Sequence, residues 1–315
     1  VRWFPLGNIL GRTDSISLAP EHLVLPLFVT AGRKLRIPSK SIEGVETVSP
    51  DQLPLFVETA LSAGIREFIL FGHYGNEKDK DGTPASDPKG PVQKALRLLT
   101  ERFAEAAFFT HLSLAHATDH GLNFCVDDSG RPDLEKTRRR FLETAESHLA
   151  SGAHGVIPLF LESGFIRLLR TFMDARGFTN RKILSYGAKF DSVLYGPFNA
   201  STSITEKGMP SGQIDPEDKE VALSKARSDI EEGTSALIIK PALAYLDIIG
   251  EFRREFSVPL VGWLVSGEYM MIKAAAKQGI CNEDRTMLEI HRSLFRAGAD
   301  RIITYDAVRL ARWLS

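Results

Sequence analysis

The chain has 315 residues, with 39 Lys and Arg against 40 Asp and Glu, 43% hydrophobic and 25% charged residues, and a formal net charge of −1. That balance describes an ordinary globular protein without the basic stripe that nucleic acid or an acidic membrane surface would require, so neither is expected as a partner. Cys125 and Cys281 stand in no disulfide or CxxC pattern, no apolar run reaches the roughly 18 residues of a membrane helix and no charged-then-apolar leader opens the chain. A reducing, cytoplasmic location is expected.

Residues 1–20 read as an N-terminal extended arm. Trp3, Phe4, Leu6, Ile9 and Leu10 need burial against the rest of the chain or a neighbouring subunit, so a homo-oligomer joined through the arm is expected. Residues 21–315 then read as one catalytic domain. Short apolar, β-branched runs recur along it: LVLPLFV (23–29), REFILFG (66–72), AFFTHLSL (107–114), GVIPLF (155–160), KILSYGAK (182–189), ALIIKP (236–241), PLVGWLVSG (259–267) and RIITYDA (301–307). Most are separated by stretches of helical period, such as 51–62, 134–151, 218–232 and 242–256. Near-continuous apolar strands suit a parallel sheet covered on both faces. Eight strand-helix units predict an α/β fold of the (β/α)8 TIM-barrel type, with an open doubly wound sheet as the alternative. No GxGxxG follows the first strand and no GxxxxGK[ST] occurs, so a phosphate cradle has little support. The polar, Gly- and Pro-rich segments 73–90 and 199–217 read as loops on the carboxyl-end face, where barrel enzymes carry their sites and lids.

The clearest anomaly is ALIIKPA, an apolar strand that runs straight into Lys240. Alone, such a lysine more often clears the rim and is solvated. Lys189, however, ends the preceding strand, so adjacent strands would each deliver an ammonium group to one face. Two lysines in a partly desolvated mouth disfavour each other's charge, which makes a neutral, nucleophilic amine accessible. Such an amine attacks a ketone or aldehyde to form a Schiff base, as in aldolase-like chemistry. The next two strands are expected to end in Ser266 and Tyr305, which could hydrogen-bond a carboxylate or keto oxygen, or simply cap a turn and fill the core.

The segments SYGAKFDSVLYGPF (185–198), GQIDP (212–216), IIKPALAYLDII (238–249), VSGEYMMIKAAA (265–276) and RAGADRIITYDA (296–307) resemble the porphobilinogen synthase family, also called 5-aminolevulinate dehydratases. Weaker similarity runs through 22–29, 63–72 and 118–124. The resemblance implies a TIM barrel, usually an octamer with arms wrapping neighbouring barrels, that condenses two 5-aminolevulinate molecules to porphobilinogen with loss of water. It places Lys189 and Lys240 on the two Schiff-base lysines, with Lys240 holding the first substrate, a small keto acid. It places Ser266 and Tyr305 on that substrate's carboxylate, and Phe198 and Gln213 on the lining and lid around the second substrate.

The departures from the family pattern are chemical. Ser113, Ala115 and Asn123 stand where the resemblance implies zinc-binding cysteines or aspartates, and such a set cannot hold catalytic zinc. His111, His116 and His120 lie nearby but match no ligand signature, so no metal is expected. His111 stands where an aspartate is implied, which removes an anion beside the lysines. Leu159 and Ser163 stand for Ser and Asp. Asn199 and Met209 stand where two basic residues would grip the second carboxylate, with His111, Asn199, Lys207 and Met209 as the second-site substitutes. Lys225 stands for a glutamate of an allosteric magnesium site, and an ammonium cannot ligate a cation.

A Schiff-base-forming lyase or dehydratase is therefore expected, without cofactor, joining a 5-aminolevulinate-like keto acid at Lys240 to a second carbonyl or amine reactant that could be a second 5-aminolevulinate. A catalytically silent barrel with a binding or regulatory role is the alternative.

Overall fold

The computed structural model describes residues 17–202 and 212–314. Most of the expected arm, with Trp3, Phe4, Leu6, Ile9 and Leu10, and the loop segment carrying Lys207 and Met209 lie outside the described residues. Eight parallel strands form the barrel: β1 (Leu23–Thr30), β2 (Glu67–His73), β3 (Ala107–Leu112), β4 (Gly155–Pro158), β5 (Lys182–Lys189), β6 (Ala236–Lys240), β7 (Leu260–Trp263) and β8 (Arg301–Ile303). They neighbour one another in chain order, and β8 pairs back on β1 through Leu23 opposite Ile302 and Val24 opposite Ile303. The sheet is closed. The expected TIM barrel is what the chain forms, since helices cross over between successive strands and cover the outer face.

The helices start where short polar side chains satisfy the first-turn N–H groups. Asp133, Asp218 and Asn282 each accept from the backbone three residues on, at 2.9, 3.0 and 3.0 Å, opening helices Leu134–Ala150, Lys219–Glu231 and Glu283–Ala297. Burial follows the two-residue strand period. Val24, Phe28, Ile69, Phe71, Phe109, Ile157, Leu184, Tyr186, Ile238, Trp263 and Ile303 fill the barrel interior, while the alternate residues meet the helices.

One irregularity sets the geometry of the mouth. Between β5 and β6 the register runs Leu237 opposite Ser185 and then Ile239 opposite Ala188, so β5 takes three steps while β6 takes two. This is a β-bulge. Leu184 and Tyr186 point inward, Ala188 turns outward to the helices, and Lys189 points inward beside its register partner Lys240. Gly187 sits at the bulge, where a Cβ would lie 2.8 Å from Leu237 Cδ2.

The structure corrects several expected boundaries. The run 259–267 is strand only to Trp263, and Ser266 begins the helix Ser266–Lys277; the run 301–307 is strand only to Ile303. The expected loop 199–217 starts inside helix Gly196–Thr202, and 73–90 contains helical turns at Gly75–Glu77 and Thr83–Ser86. A hairpin of Arg36–Pro38 with Glu46–Val48, and another of Cys125–Val126 with Pro132–Asp133, were not anticipated because runs of two or three residues carry too little period.

The Ser266 turn packs on backbone. A Cβ at Gly267 would fall 2.4 Å from Leu194 O and 2.7 Å from Leu194 Cα. Gly267→Ala should therefore cost about 1–3 kcal/mol in urea unfolding, because the clash partner is main chain rather than a movable side chain. Gly250→Ala, in helix Leu246–Glu255 with its nearest neighbours at 3.9 Å, should be neutral or stabilising by about 0.5–1 kcal/mol.

Candidate active site

Strand ends β2, β3, β5 and β6 and the helix Gly196–Thr202 enclose a cavity of about 280 Å³ at the barrel mouth. Lys189 and Lys240 both line it and are 7% and 9% exposed, so each side chain is almost wholly buried. Their strand ends are hydrogen-bonded together, Phe190 N–H donating to Lys240 O at 3.0 Å. Both approach one ring: the Nζ atoms of Lys189 and Lys240 stand 4.7 and 5.3 Å from the Tyr195 centroid. The Tyr195 hydroxyl is 2.9 and 3.0 Å from the carbonyls of Phe190 and Lys240, which anchors that ring to the paired strand ends.

Lys240 sits in an aromatic cage. Its Nζ is 3.9 Å from the Trp263 centroid, 5.7 Å from Tyr186 and 5.8 Å from Phe198. Ring faces attract a cation, by about 0.5–2 kcal/mol per favourable contact, so the cage favours positive charge at this nitrogen without placing an anion there. Composition and spacing held no sign of it, since the rings come from three separate segments.

Imidazoles adjoin the cage, His111 lying 6.2 and 6.4 Å from the Tyr186 and Trp263 rings and His116 5.6 Å from Phe198. His111, at the end of β3, stacks on Phe71 at 4.7 Å, and His116 lies 6.3 Å from His111 and 5.2 Å from His73. Burial, reinforced by the positive charge of Lys240 and Lys189, holds His111 well below the usual imidazole range. Burial and the neighbouring histidines do the same for His116, and burial lowers His73 to about 4. All three are therefore neutral near pH 7. The ring nitrogens of His111 and His116 are buried with no hydrogen-bond partner among the described residues, which leaves them available to a ligand.

Phe198, Asn199 and Gln213 also line the cavity. Gln213 is fixed by its neighbour, because Ile214 N–H donates to Lys189 O and Asp191 N–H donates to Ile214 O, both at 2.8 Å. The returning end of the 199–217 segment is thus stitched to the Lys189 strand end. Ser266 lies behind Phe198, buried, with its Oγ accepting from Phe198 N–H at 3.0 Å. Tyr305 lines a second cavity of about 330 Å³ beside Phe28 and Val45. Phe28 packs on both Tyr305 and Phe198, at 6.4 and 6.3 Å between centroids, and so stands between the two chambers. The lysines, Phe198, Gln213, Asn199 and His111 are thus brought together in one chamber, whose lining includes neither Ser266, which lies behind Phe198, nor Tyr305, which lines the second cavity.

The implied metal positions hold other chemistry. Asn123 Oδ1 accepts from Ser113 Oγ at 3.0 Å and Leu114 N–H at 2.7 Å, and its amide donates to Leu159 O. Ser113 and Asn123 thereby brace a loop, and Ala115 offers no donor atom. No three His, Cys, Asp or Glu side chains among the described residues converge as a metal-binding group. Lys225 Nζ donates to both oxygens of buried Asp229, at 2.9 and 2.7 Å.

Glu268, which no sequence signal singled out, joins the two strand-end loops that flank Lys240. Its carboxylate accepts from Leu243 and Ala244 N–H at 2.8 and 3.4 Å in the segment after Lys240, and from Val265 N–H at 2.6 Å before Ser266.

Comparison with known proteins agrees with this architecture. Residues 10–313 match the family model described as delta-aminolevulinic acid dehydratase. The delta-aminolevulinic acid dehydratase of Bacillus subtilis is 39% identical over 300 residues, covering 95% of this chain and 92% of that protein. That of Halalkalibacterium halodurans is 40% identical over 300 residues, covering 94% and 90%. The crystal structure of the Toxoplasma gondii enzyme, in complex with the reaction product porphobilinogen, superposes with a TM-score of 0.90 at 32% identity, covering 96% of this chain and 87% of that one.

The Glu268 bridge has a pH signature. Burial raises its carboxyl from 4.5 to about 7 against the pull of its backbone donors. Between those values the folded state holds a proton that the unfolded chain has lost, so the contribution is present below about pH 4.5 and disappears as pH rises through 7. Glu268→Gln should flatten the loss of unfolding free energy between about pH 5 and 7, by up to roughly 3 kcal/mol in urea titrations.

Proposed function

The chain belongs to the delta-aminolevulinic acid dehydratase family, and on that premise we propose that it is a cytoplasmic lyase that captures a 5-aminolevulinate-like keto acid as a Schiff base on Lys240. The second reactant, a carbonyl or amine compound that includes a second 5-aminolevulinate, engages Lys189. The observation that carries this reading is the pairing of two buried lysines in register on adjacent strands, lining one cavity.

Imine formation converts a lysine ammonium and a ketone into a protonated C=N and water, the attacking form being the amine after it has passed one proton to the carbonyl oxygen that leaves. The rings of Trp263, Tyr195, Tyr186 and Phe198 suit both ends of that step, since they attract the ammonium and the iminium alike and bring no carboxylate to lock the ammonium form. Neutral His111 next to the lysines adds polar atoms without adding an anion. Ser266, behind Phe198, and Tyr305, beyond Phe28, are the groups assigned to the first reactant's carboxylate. A shift of the Phe198 segment would open the path to Ser266. The segment 199–217, pinned at Ile214, is assigned to close the mouth and keep water from the imine.

The reaction is proposed to proceed without zinc, because Ser113, Ala115 and Asn123 offer no fitting donor set, and without a regulatory magnesium, because Lys225 already neutralises Asp229. Activity should survive dialysis against a chelator and be unchanged by added magnesium; loss of turnover on chelation, restored by equimolar metal, would overturn this.

Cyanoborohydride trapping with 5-aminolevulinate, read by peptide mass mapping, tests the central proposal. Labelling is expected on Lys240 and should vanish in Lys240→Ala, together with at least a thousandfold of turnover. Absence of any adduct across a panel of small keto acids would instead favour a silent barrel with a regulatory role. Colorimetric pyrrole formation from 5-aminolevulinate alone decides whether a second copy is the partner. His111→Asp returns an anion to the lysine pair and should move the pH of half-maximal trapping upward by about one unit.

A further inference from the structure

We propose that the second subsite selects an α-aminoketone whose ketone carries an uncharged alkyl chain where 5-aminolevulinate carries its carboxylate, a reading that rests on the Schiff-base function above. Beyond the two lysines, the cavity ends in a wall of Leu122, Phe124, Leu134, Leu159, Phe160 and Leu161. Only Phe160 among these is fully buried, and Leu134 is 44% exposed, so the wall holds apolar surface open to the chamber. Apolar area kept in contact with water is unfavourable, and an alkyl group seated there removes it from water.

The polar atoms along the same wall are already committed. Glu162 is held by a two-point contact with Arg138, its Oε2 accepting from Arg138 Nε at 2.7 Å and its Oε1 from Nη2. Ser113 and Asn123 hydrogen-bond each other and the backbone of Leu114 and Leu159. Asn199 and Gln213 at the rim are amides, which carry no charge. Apart from Lys189 and Lys240 themselves, the described residues of the cavity lining therefore include no cation that could meet a second carboxylate. An ion desolvated without a counter-charge is strongly disfavoured, whereas an alkyl chain of three or four carbons matches the wall.

The ketone is still required, because Lys189 reacts through it. Starting from the ammonium and the ketone, a C=N bond replaces the C=O bond, two protons leave the nitrogen, and the oxygen departs with them as water. The product is the protonated imine, with charge conserved.

The full-length enzyme can be trapped with cyanoborohydride over a concentration series of 5-aminolevulinate or 1-aminohexan-2-one, with labelling quantified separately at Lys189 and Lys240. Half-saturation at Lys189 is expected at least tenfold lower with 1-aminohexan-2-one, while 5-aminolevulinate labels Lys240. Leu134→Lys, at an exposed position that tolerates a charge, should shift Lys189 labelling back toward 5-aminolevulinate. Equal or tighter Lys189 labelling by 5-aminolevulinate in the wild type overturns the proposal, and its loss in Lys207→Ala would assign the counter-charge to Lys207. Absence of a Lys240 adduct with either compound would instead remove the Schiff-base reading itself.

Discussion

One extra residue in the fifth barrel strand brings two amines into one chamber. In parallel strands, residues paired in register face the same side, and the facing alternates with every step. From Leu184, which points inward, an unbroken strand would turn Lys189 outward, five steps later. The bulge around Gly187 absorbs one step, so Ala188 meets the helices and Lys189 meets Lys240. Gly187 suits the crowded point because any side chain there would press on Leu237.

The surroundings of this pair are unusual in their charge economy. Two cationic side chains share the cavity with Glu162, the one carboxylate of its described lining, and that carboxylate is occupied by Arg138. Aromatic faces around Lys240 attract positive charge, and the adjoining His111 and His116 imidazoles are kept neutral by burial and by nearby positive charge. A charge in such a low-dielectric interior is felt strongly, so ring faces and neutral imidazoles set the local preference of the Lys240 amine for its charged form.

The chamber is held by hydrogen bonds that run through main chain rather than between functional side chains. Glu268 connects the segment after Lys240 to the Ser266 turn, Tyr195 bonds the ends of β5 and β6, and Ile214 fastens the returning loop to Lys189. Each places a candidate site residue by fixing the backbone beside it, so the geometry of the chamber depends on loop packing as much as on the identity of the lysines.

Much of this was legible in the amino-acid order. Eight apolar runs separated by helical period imply a closed barrel, because near-continuous β-branched segments can be satisfied only when both sheet faces are covered. The position of a lysine at the end of an apolar strand is likewise a local fact, and Lys189 and Lys240 could be read from it. The short hairpins, the helical start of the 199–217 segment and the cage of Trp263, Tyr195, Tyr186 and Phe198 were not legible, since each depends on contacts between distant segments. Most of all, strand parity taken alone sends the two lysines to opposite faces. Only the tertiary structure, where Ala188 packs against the helices and Tyr186 in the barrel with the bulge between them, decided that they share one chamber.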